Sequence, residues 1–375
     1  MPSDRLDRTM QALQRVVHRG LDVPGFFAES RAVLGRAIPI DACCWLAFDP
    51  ATLLPTAHVA MESVPAEQVP RLAHNEFQEE DFNKFRVLAR SPVHAGILRE
   101  ATGGDPERSV RYCEILRPNA LAAELRTSFV ANSRCWGAVA MYRAPGNGEY
   151  RPADADLMHA ASDLMAEGMR RALLTTAVGS EPGTDAPGLV LLDADDRVEA
   201  MNSAAERWLA ELPFFRDVAP GNLPSVVYAL VQRARRLARG MGAGSHEVAR
   251  TRLKTLSGRW LVLHASELDD QQGRAALIIE PARAPEIAPL IAAAYGLTDR
   301  ERDVAGLVLQ GLPTAELANA LHLSPYTIQD HLKAIFEKVG VRSRGELVAK
   351  VFFEHYAPRM SHGENLASDG WFADP

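Results

Sequence analysis

Tyr326, Gln329, Asp330 and Lys333 bring a phenol, an amide, a carboxylate and an ammonium group onto one side of a short stretch of chain. Ile328, Leu332, Ile335 and Val339 recur at i, i+4, i+7 and i+11, so in a helix they form a single apolar stripe. The opposite side then carries Tyr326, Asp330, Lys333 and Glu337, with Gln329 flanking them. A row of directional donors and acceptors on an outward helix face suits the reading of base edges, because the major groove of DNA admits one α-helix.

Such a face needs supports, and the residues around it supply start and stop signals. Thr298 with Glu301 three positions on is a capping box. Gly311 can take the left-handed conformation that ends a helix. Thr314 is expected to cap a second helix running to about 321. Ser324 caps the third, followed by Pro325, whose missing N–H is harmless at the first helical position. Gly340 ends it, and Ser343 with Glu346 opens a fourth. The second and third helices with their short joint form a helix-turn-helix.

Residues 297–353 closely resemble the C-terminal DNA-binding domain of LuxR-type (FixJ- or GerE-type) transcription factors. The resemblance is carried by Leu297-Thr298, Arg300-Glu301, Gly311, Glu316-Leu317-Ala318, Leu321, Leu323-Ser324, Thr327-Ile328, His331, Ile335, Lys338, Gly340-Val341 and Arg344. It implies an all-α four-helix domain whose partner is double-stranded DNA. It also implies that Tyr326, Gln329, Asp330 and Lys333 face the bases, while Ser324, Thr327, Lys338 and Arg344 meet phosphate. Many members are basic along the groove face, where this chain has Gln329 and Asp330. Seven basic and seven acidic residues cancel over 297–353, although basic residues lead five to three from 324 onward. A module this neutral binds DNA weakly alone, so a homodimer is expected. The rival reading is a sensory or scaffold protein whose C-terminal helices bind protein rather than DNA.

The whole chain fits that frame. Its 375 residues allow two or three domains, and a net charge of −7 confines any DNA contact to a local surface. No apolar run approaches the ~20 residues of a membrane helix, and the charged MPSDRLDRTMQ start has no apolar signal core. A cytoplasmic, bacterial location is expected, with five Lys against thirty-six Arg suggesting a GC-rich genome. No Walker loop, HExxH, GxSxG or kinase phosphoacceptor segment occurs, so no enzyme activity and no catalytic residue is expected. Cys43, Cys44, Cys113 and Cys135 make no CxxC pair, which argues against a metal site; core cysteines are the simpler reading.

GSEPGTDAPG at 179–188 and PARAPEIAP at 281–289 read as linkers, the second extended and semi-rigid. They leave blocks at 1–178, 187–282 and 290–355, with a loose tail at 356–375. The first block has an amphipathic helix at 4–19 and apolar runs at 42–48, 57–61, 125–131 and 135–143. The last two make a hairpin across Asn132-Ser133-Arg134. A helix near 154–177 follows, and its Leu157, Ala161, Leu164, Gly168 and Ala172 form either a seam for a second copy or a cover for its own sheet.

This block resembles a GAF domain through the helix ending near Ile38-Pro39, the WLAFDP strand, Trp136-Gly137-Ala138-Val139 and Tyr150-Arg151-Pro152-Ala153-Asp154. Bilin-binding relatives use a Cys-His pair, but Cys113 precedes Glu114. The second block, opening GLVLLDADDRVEAMNSAAERWL with a closing hairpin across 266–274, resembles a PAS domain. It holds no Cys for flavin photochemistry; His246 and His264 are the only candidate haem ligands, and its sole Lys, Lys254, does not suit a phosphoacceptor receiver. The resemblances imply two α+β sensor domains ahead of the all-α module, with no cofactor and a possible non-covalent small-molecule effector. Eight basic residues between 225 and 260, against Glu247 alone, are read as a solvated face, with an auxiliary DNA patch or a dock for EFQEED at 76–81 as alternatives.

Overall fold

The computed structural model describes residues 2–59, 64–175, 186–212, 222–241, 248–270, 272–282, 284–309 and 311–355. Most of the 179–188 segment, His246 and the 356–375 tail lie outside the described residues.

The first block runs α1 (Pro2–Val17), α2 (Val23–Ala37), β1 (Ala42–Asp49), β2 (Leu54–Val59), α3 (Val69–Gln78) and α4 (Phe85–Arg90). It continues through β3 (Ala95–Ile97), α5 (Leu98–Ala101), β4 (Ala123–Ala131), β5 (Arg134–Arg143) and α6 (Pro152–Leu174). The second holds β6 (Gly188–Leu192), β7 (Val198–Met201), α7 (Ser203–Ala210), α8 (Ser225–Ala238), β8 (Arg250–Lys254), β9 (Trp260–Glu267) and β10 (Ala275–Pro281). The rest is helical: α9 (Ala284–Ala294), α10 (Asp299–Leu309), α11 (Thr314–Leu321), α12 (Pro325–Val339) and α13 (Arg344–His355). Both sheets fall in one compact unit, and α9 to α13 form the other. Among the described residues no helix is long and apolar enough to cross a membrane.

The first sheet has the order β2-β1-β5-β4-β3, every pairing antiparallel. The hairpin between β4 and β5 turns on Asn132 and Ser133, at φ +50° and +60°. Two successive left-handed residues match the twist of the strands they join. Alternation along β1 sends Cys44 and Phe48 into one apolar cluster, while Trp45 packs on the other face against Phe27 and Phe129, ring centroids 5.2 and 5.9 Å away. Burial pushes the Cys44 and Cys135 thiols up to about 12, so both stay protonated core groups.

Helix α6 covers β4, and α1 and α2 lie against α6 in turn. Leu157, Ala161, Gly168 and Ala172 are buried and Leu164 is half-buried within the single chain. At Gly168 a Cβ would stand 2.1 Å from Cζ of Phe26, so the aromatic ring occupies the space that a larger residue would need. Of the two roles open to this stripe, packing within the chain against α1 and α2 takes up most of its width, Leu164 excepted.

The second sheet has the order β7-β6-β10-β9-β8. Asn202 caps α7 by accepting from the Ala205 N–H, and Asp196, at φ +62°, turns β6 into β7. Helix α8 packs on β9 and β10 of this sheet and on β2 and α3 of the first block. Leu54 and Phe77 consequently share a core with Val227, Leu230 and Val231 of α8 and with Leu261, Leu263 and Leu277 of the second sheet.

Part of the basic cluster is not a solvated face, because partners within the unit take up Arg233, Arg235, Arg236 and Arg252, while Arg239 is exposed. Buried Arg235 pairs with buried Asp196 at 2.9 Å and donates to the carbonyls of Asp193 and Gly273. Arg236 donates to the Phe77 carbonyl at 2.9 Å, and Arg252 grips Asp49 at 2.7 and 2.8 Å. The 76–81 segment is met through its backbone and through Gln78, which donates to the Gln232 carbonyl.

The stretch expected to be extended at 281–289 instead enters α9 at Ala284. Pro285 falls in the first turn, where no N–H is needed, and the helix absorbs Pro289. Ile287, Leu290, Ile291 and Ala294 recur at helical spacing and are all buried, which outweighs the lost hydrogen bond.

Candidate nucleic-acid interface

Helices α10 to α13 close around Val304, Val308, Leu317, Ile328, Leu332, Ile335, Val339 and Leu347. The capping box at the start of α10 is complete: Thr298 N–H donates to Glu301 Oε2 at 2.7 Å, and Glu301 N–H donates to Thr298 Oγ1 at 3.3 Å. Gly311, at φ +84°, ends that helix, and the Leu312 N–H returns to the Leu307 carbonyl. Thr314 is the first residue of α11 rather than its cap. Pro313 holds the cap position, and its fixed φ of −70° prepares the turn without a side-chain bond.

The joint to α12 uses His322 at φ +53°, with the Leu323 N–H closing on the Ala318 carbonyl at 2.9 Å. Ser324 then caps α12, accepting from the Thr327 N–H at 3.0 Å, with the two hydroxyls 2.8 Å apart. Gly340, at φ +71°, stops α12.

This frame fixes what α12 presents. Ile328, Leu332, Ile335 and Val339 are buried, while Gln329, Asp330, Lys333 and Glu337 are exposed. Tyr326 is 74% exposed, an unusual placement for a large aromatic side chain with no cover in the domain. Ser324 and Thr327 meet at the N-terminus of α12, where free N–H groups and the helix dipole favour an anion.

The remaining two candidates stand elsewhere. Lys338 turns to α10, where its Nζ lies 2.6 and 2.8 Å from the Glu301 carboxylate. Arg344 opens α13 half-buried beside Val308, Gly311 and Leu312, with enclosed Nε and Nη2 making no hydrogen bond among the described residues. The tie between Lys338 and Glu301 was not read from the sequence, since 37 residues separate them and no local pattern marks the pair.

Burial alone would raise the Glu301 carboxyl, but the Lys338 ammonium and the Thr298 donors outweigh it and hold the group below its ordinary value. A depressed carboxylate stabilises the fold above its unfolded pKa, and that contribution is lost as pH falls through the folded value. Glu301→Gln is therefore expected to cost about 1–2 kcal/mol at neutral pH. The cost should shrink as pH falls through the folded value of Glu301, where wild type loses the same interactions. Amide exchange of α10 measured from neutral to acid pH checks this; equal protection of both proteins at neutral pH would count against it.

Residues 296–351 match the family described as bacterial regulatory proteins, luxR family. The spore germination protein GerE of Bacillus subtilis is 36% identical over 55 residues, which is 15% of this chain and 74% of GerE. The chain belongs to the luxR family of bacterial regulatory proteins. A Mycobacterium bovis protein described as an HTH-type transcriptional regulator is 46% identical over 52 residues, so the match spans 14% of this chain and 6% of that relative. Among solved structures, the VqsR LBD domain from Pseudomonas aeruginosa covers 45% of this chain and 94% of its own at 14% identity, with a TM-score of 0.30.

Proposed function

We propose that this chain is a sequence-specific DNA-binding transcription regulator that acts as a homodimer and is gated by a small-molecule or protein signal. The observation that carries the reading is the α12 face: four buried apolar anchors on one side, and exposed Tyr326, Gln329, Asp330 and Lys333 on the other. In this reading Lys333 donates to guanine O6/N7 and Asp330 accepts from cytosine N4, while Ser324, Thr327 and Arg344 face phosphate. Lys338 serves the phosphate backbone while also bracing α12 against α10 through Glu301. The first block is GAF-like (1–178), the second PAS-like (187–282), and 290–355 is the DNA-binding module, in a bacterial cytoplasmic protein. The near-neutral charge of 297–353 supports two modules on half-sites about one helical turn apart.

The test is binding to sequences selected from a random DNA pool, at several salt concentrations. Lys333→Ala is expected to cost about 1–3 kcal/mol and to relax preference at one base pair. Lys338→Ala is expected to weaken all sequences alike and to lower the salt slope. Unchanged affinity and preference in folded Lys333→Ala and Gln329→Ala proteins would move the reading to protein partners. Sedimentation showing a monomer both free and on DNA would remove the homodimer.

A further inference from the structure

We propose that the cavity between the first sheet and α8 is a binding site for a small, mainly apolar molecule carrying one anionic group. The cavity opens to solvent and leaves about 80 Å³ of room for the centres of water-sized spheres. Protein interiors leave few voids larger than a water molecule, so a space with room for several waters between packed elements can admit a small molecule. Leu46 and Phe48 of β1 form its floor, Leu72 and Phe77 of α3 one side, and Ala229 of α8 faces them. A wall of that make-up takes a hydrocarbon or aromatic body and rejects a sugar, whose many hydroxyl groups would lose water without replacement.

The charged groups set the other half of the ligand. Three arginines (Arg86, Arg126 and Arg233) and one carboxylate, Glu76, line the space. Arg126 is held by Glu76 at 2.8 Å and by Glu124 at 3.3 Å, and its guanidinium lies 4.1 Å from the Phe85 ring centroid. It is part of the wall. Arg233 of α8 sits over Phe77, 5.6 Å from the ring centroid, and reaches the Thr52 carbonyl at 3.4 Å. A guanidinium carries N–H donors in a planar fork suited to a carboxylate, and the buried Nε of Arg233 makes no hydrogen bond among the described residues.

The site joins two sheets that the sequence places in separate blocks. Ala229 and Arg233 face the cavity, while Gln232 and Arg235, on the same helix, are bound to Asp196 in the second block at 2.5 and 2.9 Å. A molecule in the cavity therefore presses on the helix that both sheets share. Binding is a property of the cavity alone; only its use as the gating signal rests on the regulatory reading above.

The experiment is a calorimetric titration of the full chain with octanoate and, separately, 1-octanol. Octanoate is expected to bind saturably, one per chain, and more tightly than the alcohol. Ala229→Leu and Leu72→Phe fill the space from opposite sides; each should weaken octanoate by about tenfold or more while leaving the melting temperature unchanged or higher. Leu72, only partly buried, serves if the Ala229 variant does not fold. Arg233→Met should remove the preference for the acid and leave the alcohol unaffected. No saturable binding of octanoate, or binding indifferent to both filling variants, overturns the site. Equal binding of acid and alcohol, with Arg233→Met altering neither, overturns the anionic class. DNA affinity measured with and without octanoate is a separate readout, so a ligand that binds without changing it would leave the site standing and remove the gating role.

Discussion

Arg111→Met is expected to destabilise the first block by about 3–5 kcal/mol, among the largest single effects in the molecule. The Arg111 side chain is completely buried, as are those of its carboxylate partners Glu124 and Asp81. It grips Glu124 with Nε at 3.1 Å and Nη2 at 2.7 Å, and Nη2 also donates to the Phe82 carbonyl at 3.0 Å. Asp81 accepts the Arg111 backbone N–H at 2.8 Å; burial would raise its carboxyl, but the Arg111 charge, that N–H and hydrogen bonds from Ser109 and Asn75 together hold it below its ordinary range. Methionine fills the volume but leaves carboxylates in a dry interior, with Arg126 at 3.3 Å from Glu124 and the Lys84 ammonium near Asp81 as weaker counter-charges.

The sign of the pH response separates this account from simple loss of packing. In wild type a depressed Asp81 contributes stability above its unfolded pKa, lost as pH falls through the folded value. In Arg111→Met the buried Asp81 loses the opposing charge while its burial remains, so its folded pKa rises, and the variant should gain stability as pH falls from 7 towards 5. Urea midpoints at the two pH values measure it. The double change Arg111→Met with Glu124→Leu should recover much of the loss, because removing both charges costs less than orphaning one.

What the sequence disclosed followed the range of the interactions. The C-terminal helices were legible because their determinants are local: Thr298 with Glu301, Ser324 with Thr327, and Gly311 and Gly340 at left-handed stops. The Asn132-Ser133 hairpin was legible for the same reason. Helix α8 was not. Its residues from Val226 to Arg235 are buried on every side, including Gln232, Arg233 and Arg235, because it lies between two sheets. A run of arginines reads as solvated unless their partners are known, and those partners are Asp196, Phe77 and Thr52, far away in the chain. The cavity escaped notice on the same grounds, since β1, α3, α4 and α8 meet there only in the fold. At 281–289 the prolines spoke for an extended chain, but the spacing of Ile287, Leu290 and Ile291 prevailed. Of the candidate site, the outward face of α12 followed from periodicity alone, whereas the engagement of Lys338 with Glu301 did not.

Ala161→Asp is expected to unfold the first block rather than split a dimer, at a cost of about 3–5 kcal/mol. Ala161 is fully buried on α6, a helix packed against β4 on one side and α1 and α2 on the other. The neighbouring contact between Gly168 and Phe26 shows how closely α2 approaches, and a carboxylate has neither room nor counter-charge on such a face. An aspartate there has a raised folded pKa, so the penalty should ease as pH falls, opposite to the response of wild type at Asp81. Because Leu54 and Phe77 of the first block share a core with α8, the loss should spread to the second sheet and appear as one cooperative transition. Leu164→Glu, on a half-buried position of the same stripe, should cost much less. Near-ultraviolet circular dichroism and sedimentation of the two variants decide the matter. A folded Ala161→Asp protein with half the wild-type mass would return the stripe to the role of a dimer seam, with α1 and α2 displaced from it in the assembly.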